Sequence, residues 1–264
     1  MAQQQPRFKG AIFDVDGILE YHGSALPGAA ETTERLRDMG VVLRFLTNST
    51  LKSRASCAGG LGRKGIRAAE EEVITASYAA AEYVRSLKPR SCWVMLDREG
   101  LTEFGGIAID EENPEYIVVG DNRSRFDFVH LNKALRLLAA GSKLIGMQSE
   151  LTDTSMGDLE LNVGSWVGML ERASGVKATY VGKPHAYAFE LALRSMGLAR
   201  TEVVMVGDKV STDVRGAKDF GIASILVTTG EFDESELGLH PSPDFVLESV
   251  RGVVGVFESG EPGG

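Results

Sequence analysis

Long hydrophobic runs and an excess of positive charge are both missing from this chain of 264 residues. No stretch approaches the roughly 20 consecutive apolar residues that a membrane-spanning helix requires, and residues 1–10 lack the apolar segment of a signal peptide. The formal net charge is -9, whereas domains that bind nucleic acids normally carry a basic surface. We therefore expect a cytoplasmic protein that binds neither membranes nor nucleic acids.

Cysteine is scarce as well, because the chain contains only Cys57 and Cys92. The two lie far apart in the sequence, and neither has partners at the spacing of a metal site. A disulfide framework needs more cysteines and an oxidising compartment. We expect two reduced thiols, which agrees with a cytoplasmic location.

Short apolar runs alternate with helical patterns along most of the chain. We predict strands at residues 8–13, 41–46, 179–181, 203–206 and 223–227, and helices at 29–39, 186–196 and 211–220. Ser211 or Thr212 is expected to cap the last of these helices. Continuous apolar strands joined by helices indicate a mostly parallel sheet covered on both faces. The predicted fold class is α/β, with a Rossmann-like three-layer core.

The middle of the chain carries a second set of elements. Strands at 92–96, 116–119 and 143–147 and an amphipathic helix at 128–139 are predicted there, and the most polar stretch of the chain, 148–162, follows them. We interpret residues 78–177 as a smaller α/β domain inserted into a core domain that is formed by residues 1–77 and 178–264.

Unusual polar residues follow four of the predicted core strands. In chain order these are Asp14 and Asp16, then Thr47, Asn48 and Ser49, then Lys183, and finally Asp208 with Asp213 about one helical turn later. The carboxyl ends of parallel strands form one edge of a sheet, and ligands bind in the crevice there. We therefore expect these side chains to meet in a single site.

The acidic members of this set predict a bound cation. At 4 Å and an effective dielectric constant near 20, each pair of like charges costs roughly 4 kcal/mol. Carboxylate ligands, retained waters and a phosphate partner favour Mg²⁺.

The remaining members suit the transfer of a phosphoryl group. The ammonium of Lys183, the hydroxyl of Thr47 and the main-chain amides of the turns neutralise phosphate oxygens. A carboxylate is an accepted nucleophile for this reaction, and a second carboxyl two residues away can act as the general acid and base.

These residues resemble a known family. The chain contains FDVDGIL, LTNS, VGKP and VGDKVSTD, which resemble the four ordered motifs of the haloacid dehalogenase superfamily. The large insertion between the second and third motifs, with the TN and GKP forms, resembles the NagD-like and 4-nitrophenylphosphatase-like branch. The resemblance spans nearly the whole chain and implies a core of the haloacid dehalogenase type with an inserted α/β cap. It also implies a Mg²⁺-dependent phosphatase that hydrolyses small phosphomonoesters through an aspartyl phosphate on Asp14.

The resemblance gives each motif residue a role. Asp14 is the implied nucleophile, Asp16 the acid and base, and Lys183 the residue that steadies the nucleophile and the phosphate. The implied phosphate ligands are Thr47, Asn48, Ser49 and Lys183. The implied Mg²⁺ ligands are the Asp14 carboxylate, the Asp16 main-chain carbonyl and Asp208, with Asp213 in support.

The sequence departs from the family pattern at two places. Ser49 stands where many relatives have a second Asn, and residues 148–150 read Gln-Ser-Glu where many relatives have an Asn-Pro-Asp-like sequence. The identity of the substrate is therefore not carried over, and we expect residues 148–162 of the cap to set specificity. We expect a small phosphorylated metabolite, such as a sugar phosphate, phosphoglycolate or a nucleotide, with phosphoproteins or pyrophosphate as the alternative. The resemblance also raises a homodimer through the cap, and the sequence leaves the oligomeric state open.

Other functions share parts of this pattern. A response-regulator receiver also carries a phosphorylated Asp, a Thr and a Lys at its strand ends, but it needs only about half this length. Asp16 argues further against a receiver, because a general acid and base at this position would hasten dephosphorylation. A catalytically inactive relative would be expected to lack one of the two Asp residues of the first motif. Phosphoryl transfer to a second substrate, as in mutases, stays open.

Overall fold

Parallel β-sheets lie at the centre of two separate regions of the chain. The structure, a computed structural model, describes residues 8–154, 157–238 and 240–259. Within these residues the first unit consists of residues 8–47, 58–74 and 189 onward, and the second unit consists of residues 48–57 and 75–188. Residues 1–7, on which the prediction of no signal peptide partly depends, lie outside the described part.

The elements follow in chain order. The strands are β1 (Gly10–Phe13), β2 (Glu20–Tyr21), β3 (Ser24–Ala25), β4 (Val42–Thr47), β5 (Val73–Thr75), β6 (Cys92–Met95), β7 (Tyr116–Val119), β8 (Lys143–Gly146), β9 (Thr152–Asp153), β10 (Glu160–Leu161), β11 (Ala178–Tyr180), β12 (Val203–Gly207), β13 (Ala223–Val227) and β14 (Phe245–Leu247). The α-helices are α1 (Ala29–Asp38), α2 (Arg54–Arg63), α3 (Ala76–Leu87), α4 (Phe128–Ala139), α5 (Val163–Ser174), α6 (Ala186–Met196), α7 (Arg215–Phe220) and α8 (Val253–Ser259). In the described part of the chain, every helix is too short or too polar to cross a bilayer.

The sheet of the first unit has the strand order β14-β13-β12-β1-β4-β5. Strand β1 pairs in parallel with β12 on one side and with β4 on the other. Every residue of β1 and of β12 is buried, as expected for strands covered on both faces. Because β12, β1 and β4 are parallel neighbours, their carboxyl ends lie side by side at one edge. The prediction of an α/β fold with a parallel sheet is confirmed.

The sheet of the second unit is also parallel, with the order β11-β8-β7-β6. Successive residues of its strands point to opposite faces. Val118 and Ile145 pack with the buried face of α3, whereas Ile117 and Leu144 pack with α4 and α5. Helices therefore cover both faces of this smaller sheet as well.

The strand before Lys183 does not belong to the sheet in which it was predicted. Strand β11 pairs in parallel with β8, with Ala178 opposite Leu144 and Tyr180 opposite Gly146. The prediction of a core strand at 179–181 is therefore wrong, because the pattern of a short strand indicates extended backbone but not its neighbour. The second unit extends to residue 188 and also includes residues 48–57, while the predicted cap bounds of 78 and 177 stay a prediction.

The helix predicted at 211–220 begins later than expected. A π-helical turn occupies Val210–Val214, and α7 starts only at Arg215. The N–H groups of Asp213 and Val214 both donate to the carbonyl of Lys209, at 3.0 and 3.3 Å. Neither Ser211 nor Thr212 caps α7, because the helix starts after the widened turn and its N-cap position is Val214. The Asp213 side chain within this turn accepts a hydrogen bond from the N–H of Lys209 at 3.2 Å.

Candidate active site

Asp14 lies immediately after β1, at the carboxyl edge of the first sheet. Its N–H donates to the carbonyl of Val206 at 2.8 Å, and its Oδ1 accepts the N–H of Val15 at 2.7 Å. The chain then turns at Gly17, which has a φ of 85° and donates its N–H to the carbonyl of Glu20 at 2.7 Å. The pairing of β1 with β12 thus fixes the position of Asp14, a residue that is only 7% exposed.

Three buried carboxyl groups meet at this edge. Asp14, Asp208 and Asp213 each offer one carboxylate oxygen, and these oxygens lie within 4.8 Å of one another. At that separation and an effective dielectric constant of about 20, each charged pair costs roughly 3 kcal/mol. A divalent cation with hard oxygen ligands, such as Mg²⁺, fits this donor set.

The composition of this acidic group refines the predicted metal set. The structure brings Asp213, predicted as a supporting residue, into the same group as Asp14 and Asp208. The carboxylate of Asp16 is not one of the three. This agrees with the predicted metal set, in which Asp16 contributes only its main-chain carbonyl.

A segment after β13 fixes the acidic group, and sequence reasoning missed it. The N–H of Glu231 donates to Oδ2 of Asp208 at 2.7 Å, and the hydroxyl of Thr229 donates to the carbonyl of Gly17 at 2.7 Å. A Cβ at Gly230 would lie 2.2 Å from the Cα of Gly17 and 2.3 Å from Oδ2 of Asp208, so only glycine fits there. The available signal was a Thr-Gly pair just beyond a further strand of the same sheet.

Asp16 and Thr47 also lie in the first unit. Thr47 ends β4 and is buried, and Asp16 is half-buried in the turn after β1. The hydroxyl of Thr47 donates to Oδ2 of Asp16 over 3.4 Å, a long hydrogen bond. Thr47 and Asp16 therefore lie close together, as the sheet-edge argument predicts.

Lys183 lies in the second unit, in the loop that follows β11. It is buried, and its main chain is held by Asn48 through two hydrogen bonds. The side chain of Asn48 also donates to Glu150 at 2.8 Å. The neighbouring Ser49 is half-buried, and its carbonyl accepts the N–H of Ala76 at 3.1 Å.

The predicted site residues thus form two groups. The first unit holds Asp14, Asp16, Thr47, Asp208 and Asp213, and the second unit holds Asn48, Ser49 and Lys183. The meeting of Lys183 with Asp14 stays a prediction.

Several polar residues of the segment 148–162 are tied to the second group. Gln148 donates to Oδ1 of Asn162 at 2.5 Å and accepts the N–H of Glu150 at 2.5 Å. His185 lies 3.1 Å from the Ser149 hydroxyl and stacks on the Tyr180 ring, and burial lowers the pKa of His185. The sequence indicated this segment as important for specificity, but the individual contacts depend on pairings that no local pattern reveals.

Comparison with known proteins identifies the family. Residues 11–106 match the family model described as haloacid dehalogenase-like hydrolase, and residues 180–253 match a second model of HAD-like hydrolases. The human haloacid dehalogenase-like hydrolase domain-containing protein 2 is 35% identical over 242 residues, which cover 91% of this chain and 92% of that protein.

Two solved structures are similar over nearly their whole length. The 4-nitrophenylphosphatase from Thermotoga maritima has a TM-score of 0.88 and 27% identity, covering 94% of this chain and 97% of that one. NagD from E. coli K-12 has a TM-score of 0.85 and 28% identity, covering 92% and 97%.

These matches agree with the four motifs and with the inserted second sheet. The prediction of an enzyme, a hydrolase of the phosphatase type, is confirmed. The chain belongs to the haloacid dehalogenase-like hydrolases, in their NagD-like and 4-nitrophenylphosphatase-like branch.

Proposed function

We propose that this protein is a Mg²⁺-dependent phosphatase that hydrolyses small phosphomonoesters through an aspartyl phosphate on Asp14. The observation that carries the proposal is the buried group of Asp14, Asp208 and Asp213, with oxygens within 4.8 Å, in a chain of this family. A divalent cation bound by these carboxylates supplies positive charge that offsets their repulsion and that of the phosphate oxygens.

In the first step a carboxylate oxygen of Asp14 attacks phosphorus. The bond from phosphorus to the ester oxygen breaks, and Asp16 gives its proton to that oxygen so that an alcohol leaves. Asp16 is only two residues from Asp14 in the sequence, and its carboxylate contacts the hydroxyl of Thr47. Both observations support this assignment.

In the second step water attacks phosphorus. Asp16, now a carboxylate, takes a proton from the water as the oxygen–phosphorus bond forms. The bond from phosphorus to Asp14 breaks, which releases inorganic phosphate and restores both side chains.

We propose that the phosphate oxygens are bound by the Thr47 hydroxyl, by the main-chain N–H groups of Asn48 and Ser49, and by the ammonium of Lys183. Lys183 is only 2% exposed, and a buried charge is favourable when it is paired with an opposite charge such as that of a phosphate. In this proposal Lys183 neutralises the phosphoryl group that Asp14 attacks.

The proposed substrate is a small phosphorylated metabolite selected by residues 148–162. Two buried, unbridged cysteines support a reducing, cytoplasmic location. The net charge of -9 gives no support to a nucleic-acid partner. A homodimer through the cap is proposed on the family resemblance alone.

Hydrolysis of 4-nitrophenyl phosphate, with and without Mg²⁺, tests the reaction. The variant Asp14→Asn should fall below about a thousandth of the wild-type kcat/KM, because it lacks the nucleophile. The matched control is Asp38→Asn on α1, where the carboxyl is exposed and the activity should not change. Substantial turnover by Asp14→Asn would show that the mechanism is wrong.

A screen of phosphorylated metabolites then identifies the leaving group. If the wild-type protein hydrolysed no phosphomonoester in the presence of Mg²⁺, the proposed function would be wrong.

A further inference from the structure

We propose that the side chain of Asn48 is a positioning residue that acts through Lys183 and is not itself a phosphate ligand. The inference rests on the proposed function, since it assumes that Lys183 neutralises the phosphoryl group.

The amide of Asn48 binds both main-chain groups of Lys183. Oδ1 of Asn48 accepts the N–H of Lys183 at 2.9 Å, and Nδ2 donates to the carbonyl of Lys183 at 3.0 Å. A pair of opposed hydrogen bonds fixes the orientation of the Lys183 backbone as well as its position. Because the lysine stem is long and flexible, a fixed backbone reduces the freedom that its ammonium must lose on binding phosphate.

The second hydrogen of the Asn48 amide is also engaged. A primary amide nitrogen carries two hydrogens, and Nδ2 donates to Oε2 of Glu150 at 2.8 Å in addition to the Lys183 carbonyl. The neighbours fix the orientation of the amide, because an N–H faces Oδ1 while a carbonyl and a carboxylate face Nδ2. Both hydrogens of the Asn48 amide are therefore engaged, and none is left for a phosphate oxygen. Oδ1 of Asn48 cannot bind a phosphate oxygen either, because both atoms are hydrogen-bond acceptors.

Glu150 is itself held by a chain of hydrogen bonds. Its N–H donates to Gln148, which donates in turn to Oδ1 of Asn162. The same oxygen of Asn162 accepts the N–H of Val163 at 2.8 Å at the start of α5. The bond from Asn48 to the Glu150 carboxylate is charge-assisted and so stronger than a neutral one. Lys183 is thereby connected to the segment that the sequence indicates for specificity.

Close packing at Gly182 supports the same conclusion independently. The N–H of Gly182 donates to the carbonyl of Met147 at 2.9 Å. A Cβ at Gly182 would lie 2.6 Å from that carbonyl oxygen and 2.8 Å from Oδ1 of Asn48. The loop that carries Lys183 is therefore pressed against Asn48, with no room for a side chain between them.

A double-mutant cycle tests the inference. Asn48→Ala, Lys183→Met and the double variant are compared by kcat/KM for 4-nitrophenyl phosphate and by the inhibition constant of inorganic phosphate. Asn48→Ala should lower kcat/KM and weaken phosphate inhibition by roughly 10–100-fold, since a small misplacement of a charged group has effects of this size. In the Lys183→Met background the same change should have almost no effect.

Additive effects of the two substitutions would overturn the inference, because a direct phosphate ligand acts independently of Lys183. The Mg²⁺ concentration that gives half-maximal activity should be the same in Asn48→Ala as in the wild type. Failure of the wild type to turn over substrate would instead count against the proposed function, so the two failures are distinguishable.

An isosteric variant keeps the test valid if Asn48→Ala does not fold. Asn48→Asp keeps the acceptor for the Lys183 N–H but places an oxygen against Glu150, so its loss should equal or exceed that of Asn48→Ala. Adding Glu150→Gln restores a donor between the two side chains and should recover part of the activity. No recovery in the folded double variant would contradict the role given to Glu150.

Discussion

The acidic residues of the first unit and the lysine of the second unit are held in place by different means. Asp14 and Asp208 follow neighbouring parallel strands, so the main-chain ladder of one sheet brings them together. Lys183 follows a short strand at the edge of another sheet and is held by the side chain of Asn48. Backbone pairing thus places the acidic group, whereas side-chain hydrogen bonds between remote segments place the lysine.

The two groups also differ in what they require electrically. Three carboxylates within 4.8 Å repel one another, so the acidic group is expected to gain stability when a cation binds. The main chain of Lys183 is held by the amide of Asn48, which also donates to the Glu150 carboxylate, and these hydrogen bonds require no metal. Substitutions in the acidic group should therefore change the response to Mg²⁺, whereas Asn48→Ala should lower turnover and phosphate affinity without changing that response.

The largest effect is expected for Asp208→Asn. The isosteric change removes one of the three charges, so turnover should fall by roughly 10³-fold or more while the metal-free protein unfolds at a higher temperature than the wild type. Added Mg²⁺ should raise the unfolding temperature of the wild type and leave that of the variant almost unchanged. Thermal unfolding with and without Mg²⁺ measures both effects.

Asp219→Asn is the matched control for this experiment, because Asp219 is an exposed carboxylate on the nearby helix α7. It should keep the full response to Mg²⁺. If Mg²⁺ raised the unfolding temperature of Asp208→Asn as much as that of the wild type, Asp208 would not be a ligand of the cation.

The next effect concerns Asp16, which distinguishes chemistry from metal binding within the first unit. Asp16→Asn should lower turnover of an alkyl phosphate by roughly 10²–10⁴-fold, because the leaving alcohol is no longer protonated. The loss in the first step should be smaller for 4-nitrophenyl phosphate, whose leaving group is a weak base. Rapid acid quenching followed by mass spectrometry should detect phosphorylated Asp14, since the variant also lacks the base for the second step. Equal losses of the first step with both substrates would contradict the role of Asp16 as an acid.

The sequence predicts the site residues of the first unit better than those of the second, because the two sets depend differently on strand pairing. Asp14 and Asp208 follow the buried strands β1 and β12, and Thr47 ends the neighbouring strand β4. Parallel strands align their carboxyl ends whatever lies between them in the chain. The sheet in which β11 pairs is decided by contacts with β8, which the pattern of residues 179–181 does not contain.

The same limit applies to single contacts. The hydrogen bonds of Asn48 join residues that are 102 and 135 positions apart in the chain. The π-helical turn that brings Asp213 to the acidic group is likewise absent from the helical pattern at 211–220. Residue types therefore predict the chemistry of these side chains, whereas their hydrogen-bond partners can be identified only from the three-dimensional structure.

A smaller effect is expected where the segment after β13 contacts the acidic group. Gly230→Ala should shift the Gly17 turn and Asp208, because its Cβ would lie 2.3 Å from Oδ2 of Asp208. We expect about tenfold weaker Mg²⁺ binding by calorimetry and a destabilisation of roughly 1–3 kcal/mol.

Gly197→Ala is the matched control, since Gly197 has a φ of 65° against 64° at Gly230 but has open space around its Cβ position. It should lose about 1 kcal/mol through backbone strain alone and keep its Mg²⁺ affinity. Equal Mg²⁺ affinities of the two variants would show that the Gly230 contact does not position Asp208.

The smallest effect tests the second unit alone, through His185. Burial lowers the pKa of His185 below its ordinary value of 6.5, so the unfolded chain binds more protons than the folded one as the pH falls through this range. The stability contributed by neutral His185 is therefore present above about pH 6.5 and is lost as the pH falls below it. His185→Phe keeps the stacking on Tyr180 and loses the hydrogen bond to Ser149, which should cost about 1 kcal/mol at pH 8. Urea denaturation at pH 8 and at pH 5.5 should show this difference between wild type and variant shrinking at the lower pH, whereas a constant difference would mean that His185 is not held in its neutral form.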